Sequence, residues 1–273
     1  MSVSDINNFF GATPNASEHG GLVDHMLGFV HWFMLALFIG WSIFLIITFW
    51  RFRAKKSPKA DYHGVRGHAS THIAIGVVIG ETILLLGFAF PLWSHQADAY
   101  PTEPNTIKLR AMGEKFLWNF QYPGNDLMLG TWSPRHISGS TNPTGMDKLD
   151  PNSKDDFVNP GTLRLPVGRS VIVDVTTKDV IHNLAMVPMR AAQDAIPGVK
   201  AHMWFKPVKT GTWDIICGQL CGPGHAQMKA VLEVVDAKDY DEWAQEQSGN
   251  AAKKAAAPAA PAPAPQPATA AAH

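Results

Sequence analysis

From His25 to Trp50 the chain carries no Asp, Glu, Lys or Arg. At about 1.5 Å per residue this run exceeds a hydrocarbon layer of about 30 Å, so it predicts a tilted membrane-spanning helix. A second apolar run, Thr71 to Trp93, holds a single carboxylate, Glu81. Pro91 and the polar run Ser94 to Asn105 should end this second helix. Residues 25–93 therefore predict a transmembrane helix hairpin. Beyond it the period shortens. Ile107–Ala111, Phe116–Phe120, Thr162–Leu165, Ser170–Thr176, Met203–Val208, Thr212–Ile216 and Lys229–Val235 are short runs, several alternating in polarity, punctuated by Gly and Pro. That is the pattern of an all-β sandwich, assigned to residues 94–247. Residues 132–160, rich in Pro, Asn, Ser, Asp and Gly, read as a long loop or insertion. Asp236 to Gln247 reads as a short surface helix. Residues 248–273 are dominated by Ala and Pro and predict a disordered tail.

Charge fixes the direction of the hairpin. The outer N-terminal segment, residues 1–24, has no Lys or Arg and lacks the basic start of a signal peptide. Either a signal has been removed or the first helix serves as one. The connection, residues 53–70 with Arg51 at its edge, carries Arg51, Arg53, Lys55, Lys56, Lys59 and Arg66 against Asp61 alone. By the positive-inside rule this loop is cytoplasmic and both termini lie outside. Net charge is zero over 273 residues, which gives no nucleic-acid signature.

Polar groups inside the spans need an account. His25 reads as interfacial, and His31 as facing a polar cavity or a neighbouring subunit. Glu81 lies roughly 15 Å into its helix. An ionised carboxylate there costs about 2.5–3.5 kcal/mol on insertion scales. It should face protein, be paired or be protonated.

The chemistry concentrates in Cys217-Gly-Gln-Leu-Cys221-Gly-Pro-Gly-His225-Ala-Gln-Met228, which holds both cysteines of the chain. Gly222-Pro223-Gly224 forbids a regular helix and forces a compact loop between two strands. Thiolate, imidazole and thioether are the soft donors that select copper over magnesium, calcium or manganese. Two cysteines alone also allow a disulfide or a zinc site, although zinc seldom takes Met. His225 and Met228 favour copper.

Cys217-x-x-x-Cys221-Gly-x-x-His225-x-x-Met228 resembles the binuclear copper (CuA) loop of cytochrome c oxidase subunit II. The resemblance covers roughly residues 22 to 245. It implies a membrane-anchored all-β protein, a two-helix transmembrane hairpin followed by a cupredoxin-like Greek-key β-sandwich. It implies copper ligands His225, Cys217, Cys221, Met228 and the Gln219 carbonyl. The second histidine of the family usually follows Asp-Val-x, and Asp179-Val180-Ile181-His182 matches, so His182 completes the set. The family usually has Glu at Gln219, where it helps bind magnesium at the border with subunit I. Gln is a weaker ligand for a hard cation, so that site should be weakened or absent. Gly113 to Pro123 resembles the family's aromatic segment. Phe116 stands where a tryptophan receives electrons, and Trp118 matches a second tryptophan, so Phe116 and Trp118 are the electron-entry candidates, with an edge of the loop beside Trp118. The family also has a glutamate near the cytoplasmic start of the second helix, at the mouth of a proton channel. His72 lies nearest that position and Glu81 lies deeper.

The implied function is that of an inner-membrane respiratory subunit. It accepts electrons from a cytochrome c-type donor and passes them to haem in subunit I, where oxygen reduction is coupled to proton translocation. Subunits I and III, membrane lipid and a cytochrome donor are the implied partners. The charges near the loop are mixed: Glu114 with Lys115, Asp147 with Lys148, Lys154 with Asp155. A dedicated or tethered donor fits this better than a basic soluble cytochrome c. Two other readings stay open. A mononuclear blue-copper carrier needs one cysteine only. A non-redox copper-binding or disulfide-stabilised adaptor would have its thiols oxidised or otherwise occupied.

Overall fold

The computed structural model describes residues 11, 13–59, 62–63, 67–97 and 99–256. Most of the predicted N-terminal segment before Gly11, Asp61 and Arg66 of the basic loop, and the tail after residue 256 lie outside the described residues.

Helix α1 spans Gly20–Arg51 and α2 spans Ala69–Leu84. A π turn, Leu85–Ala89, and α3, Phe90–Ala97, continue α2. Both apolar stretches are long enough to cross a membrane. They differ from the sequence expectation at the ends nearer the chain's N-terminal segment and the β domain. The first begins before His25 because Asp24 is not solvated on its own: its carboxylate takes the Arg190 guanidinium at 2.7 Å. The second passes through Pro91 and ends at Ala97. Pro91 has no N–H and crowds the carbonyl of the preceding turn. The π turn widens the helix just before it, and the Phe90 amide bonds five residues back to Leu85 O.

The outer domain is a β-sandwich of ten strands. They are β1 Ile107–Glu114, β2 Leu117–Tyr122, β3 Phe157–Pro160, β4 Thr162–Pro166, β5 Val171–Thr177, β6 His182–Met186, β7 Ala191–Ala195, β8 Ala201–Phe205, β9 Gly211–Cys217 and β10 Lys229–Val235. One sheet runs β3-β2-β1-β5-β8, the other β4-β10-β9-β6-β7. β1 with β5 and β10 with β4 are parallel; the other pairs are antiparallel. The cupredoxin-like sandwich is thus present. Its core follows the two-residue period. Ala230, Leu232 and Val234 of β10 point inward, while Lys229 and Val231 point out. Trp118, Phe120 and Tyr122 meet Leu163, Val173, Leu184, Phe205 and Ile215 between the sheets.

Helix α4, Ala237–Ala256, runs past the expected end at Gln247. It is docked rather than merely superficial. Tyr240 and Ser248 are buried, and Trp243 lies edge-on to Tyr122 and Phe157. The predicted tail boundary at residue 248 is therefore too early, since the helix stripe Tyr240, Trp243, Ala244 and Ala251 packs on the sandwich.

The insertion before β3 is tied to the sandwich through a buried polar network. Arg110 donates to Gln121 at 2.8 Å, and Gln121 and the Gly130 amide donate to Asp156 Oδ2 at 2.7 and 2.9 Å. Burial pushes Arg110 down to about 10 and Asp156 up to about 6. A carboxyl raised in the folded state binds more protons folded than unfolded between about pH 4 and 6, so stability falls as pH rises through that window. Asp156→Asn is expected to raise the stability of the outer domain by about 2 kcal/mol at pH 7.5. The gain should vanish below about pH 4. Thermal unfolding of the purified protein from pH 4 to 8 checks this; a pH-independent difference would refute it.

Candidate metal centre

The site lies where β9 ends, where β10 begins and where β6 begins. β9 delivers Cys217 and β10 follows directly on Met228. Between them the loop carries one short 3-10 turn, His225–Gln227. β6 opens with His182, which is fully buried.

The donors converge. Cys217 Sγ is 3.9 Å from Cys221 Sγ, 3.8 Å from His182 Nδ1 and 3.2 Å from the Gln219 carbonyl oxygen. Cys221 Sγ is 3.7 Å from His225 Nδ1 and 3.8 Å from Met228 Sδ. Two donors each about 2.2 Å from one ion at a tetrahedral angle sit about 3.6 Å apart. The spacing is that of a ligand cage, and both thiols are free rather than joined. The ligating atoms of His182, Cys217 and Cys221 all lie within 4.8 Å of one another. Burial, with the Cys217 thiol beside it, pushes the Cys221 thiol up. Metal binding must then displace protons, which makes affinity pH-dependent.

Asp179 orients His182. Its Oδ1 lies 2.9 Å from His182 Nε2, while Oδ2 accepts the Lys115 amide at 2.7 Å. Burial alone would raise this carboxyl, but hydrogen bonds from His182, the Lys115 and Val180 amides and Thr177 outweigh it and hold it below the usual range. An ionised carboxylate only accepts, so Nε2 carries the ring proton and Nδ1 presents its lone pair to the cage. Trp118 stands edge-on to the His182 ring at 5.9 Å. Asp179→Ala is expected to weaken copper binding by about 10–100-fold. Competition titration with a copper chelator measures this; unchanged affinity would remove the carboxylate from the design.

The two aromatic candidates separate. Trp118 is fully buried, edge-on to the His182 ring. Phe116 is 36% exposed. It lies at the tip of the β1–β2 hairpin, against the copper loop. A Cβ added at Gly224 would fall 2.4 Å from its ring. Only glycine admits that contact. His72 and Glu81 are far from the cage, both on α2 and nine positions apart, so the structure does not join them into one site.

A soft-donor cage on a loop between two strands of a cupredoxin-like sandwich, carried on two membrane helices, defines a membrane-anchored copper-binding protein. The profile of the cytochrome c oxidase subunit II periplasmic domain matches residues 106–235. The chain is 32% identical over 236 residues to the alternative cytochrome c oxidase subunit 2 of Bradyrhizobium diazoefficiens, covering 86% of this chain and 83% of that one. It is 26% identical over 254 residues to cytochrome c oxidase subunit 2 of Cereibacter sphaeroides, covering 88% and 80%. The solved periplasmic domain of subunit II of cytochrome oxidase from Bradyrhizobium japonicum shares 31% identity, covering 55% of this chain and 97% of that chain, with a TM-score of 0.39. The chain belongs to the cytochrome c oxidase subunit II family. It is a component of a haem–copper oxidase, and its two helices and periplasmic-type domain fit the inner membrane.

Proposed function

We propose that the cage is a binuclear CuA centre. It accepts electrons from a cytochrome c-type donor on the outer face and delivers them to haem in subunit I, whose oxygen chemistry is coupled to proton translocation. The observation that carries this is the convergence of the six donors. Cys217, Cys221, His182, His225, Met228 and the Gln219 carbonyl would hold the copper, Cys217 lying next to His182 and Cys221 next to His225. When bound, the copper pair supplies a one-electron store shared by two ions. The protein keeps the donors from moving: His182 is held by Asp179 and Trp118, and both cysteines are nearly dry. Rigid ligands in a water-poor site reorganise little on a change of charge.

In this reading both termini lie outside and the Arg51–Lys59 stretch faces the cytoplasm. His72, near the start of α2, is the proton-uptake candidate at the border with subunit I. Subunit III, lipid and a dedicated cytochrome are the remaining partners. The test is to purify the oxidase, count copper per haem and record the copper hyperfine pattern. An electron shared by two nuclei gives more lines than one confined to a single nucleus. A single-nucleus pattern would overturn the binuclear assignment.

A further inference from the structure

Two side chains lie against the backbone of the donor loop. Phe116 covers Gly222 and Gly224 in its second half. Asn183, the residue after His182 in β6, covers the first half. The β6–β9 ladder pairs Leu184 with Cys217. One residue further on, the Gly218 amide donates to the Asn183 carbonyl at 3.1 Å. The Asn183 side chain lies against the same residue: a Cβ added at Gly218 would fall 2.6 Å from its Oδ1 and 3.1 Å from its Cγ. Any residue but glycine would have to displace that amide. The amide is itself fixed on the next strand, where Asn183 Nδ2 donates to Asp194 Oδ1 at 2.7 Å across the β6–β7 register pair. A carboxylate only accepts, so Nδ2 faces Asp194 and Oδ1 is left at Gly218. Gln219 follows directly, with its carbonyl oxygen 3.2 Å from Cys217 Sγ. Cys217 and His182 reach the cage as members of β9 and β6. Gln219 belongs to no strand, and its side chain and that of Leu220 are exposed, so packing does not place its carbonyl. The path of the chain through Gly218 does.

We propose that Asn183, fixed by Asp194, is a positioning residue for the Gln219 carbonyl, and that it thereby sets how readily the copper centre accepts an electron. The inference rests on the copper reading above. A weak oxygen ligand tunes the potential of copper–thiolate sites. The negative end of a carbonyl dipole, held close, favours the more positive, oxidised charge. Releasing it should make the centre easier to reduce. A pair that only helped β6 meet β7 would change stability and leave the electron affinity of the folded centre alone.

The experiment uses the full chain purified in detergent, as wild type, Asn183→Ala, Asp194→Ala and Asp194→Asn. Besides copper content, two quantities are read. One is the reduced-to-oxidised ratio of the copper absorbance at a fixed solution potential. The other, after copper removal, is the hydrogen-exchange rate of the Gly218 amide. Asn183→Ala should bind copper in full and raise the ratio by at least about threefold. Its Gly218 amide should exchange at least about tenfold faster. Asp194→Ala and Asp194→Asn lose the same charge, but Asn keeps an acceptor oxygen for the Asn183 amide. The hydrogen bond alone should therefore separate these two variants, by at least about twofold in both quantities, with Asp194→Asn nearer wild type. Because Asp194 is exposed, this pair decides the matter even where Asn183→Ala fails to fold. A ratio and an exchange rate unchanged by Asn183→Ala, or equal in the two Asp194 variants, overturn the positioning role. Faster exchange with an unchanged ratio overturns its link to electron affinity. A wild-type chain that takes up no copper overturns the copper reading itself, and this inference with it.

Discussion

Cys217→Ser and Cys221→Ser are each expected to abolish the binuclear copper spectrum, while Gln219→Ala leaves it in place. The two sulfurs are the only donors that touch each other and also both histidines, Cys217 toward His182 and Cys221 toward His225. A hydroxyl is a harder and far weaker copper ligand than a thiolate. Gln219 approaches through its backbone oxygen, 3.2 Å from Cys217 Sγ, so its side chain is dispensable for copper. Absorption and electron paramagnetic resonance on the three variants decide the matter. Loss of the spectrum in Gln219→Ala would mean that the ligand set is wrong. Elemental analysis of the same samples should find magnesium below one per wild-type chain, because a neutral amide replaces the carboxylate that the family usually places there. Tightly held stoichiometric magnesium coordinated through Gln219 would contradict this.

The second large effect concerns the electron donor. Turnover with a soluble basic cytochrome c should be slow and nearly flat in ionic strength. Steering needs uncompensated carboxylates. Here Glu114 is paired with Lys178 and also accepts from Asn119. Asp179 and Asp194 keep their charge, since His182, the Lys115 amide and Asn183 are neutral donors, but with Lys115 beside them they do not make a one-sign cluster. The exposed surface near the loop is instead apolar, with Leu220 81% exposed between the two cysteines and Phe116 beside them. Phe116→Ala should slow electron acceptance by about tenfold, since it removes the ring that fills the space over Gly222 and Gly224, while leaving copper content unchanged. Fast turnover that falls steeply as salt rises would show a carboxylate patch and sink the idea.

The convergence of the candidate donors was readable in the sequence because a metal cage constrains side-chain type directly. The loop from Cys217 to Met228 encodes its own spacing, and Asp179 announces His182 three residues on. Strands with β-branched, alternating residues, such as Val171–Thr177 and Lys229–Val235, were equally legible. Three strands were not. β3 hides in a Pro- and Asn-rich stretch, and β7, Ala191–Ala195, is Ala-rich with an Asp. β7 has little intrinsic β-propensity and β3 has only Phe157 and Val158 before Asn and Pro; both are held by pairing, β7 with β6 and β3 with β2. β6 begins with His-Asn and looked like a ligand loop alone. The depth of Trp118 was also invisible, because an aromatic that packs and one that meets a partner have the same letter. The docking of α4 was missed because its apolar stripe is narrow within a mostly polar stretch.

The Asp179 carboxylate has one further consequence. Its two oxygens point to different elements: Oδ2 takes the amide of Lys115, the residue before Phe116, and Oδ1 faces the ring of His182. Phe116 is therefore joined to His182 through the backbone of Lys115, one carboxylate and two direct hydrogen bonds. The link has a fixed length, set by the fold of the hairpin and indifferent to the salt outside.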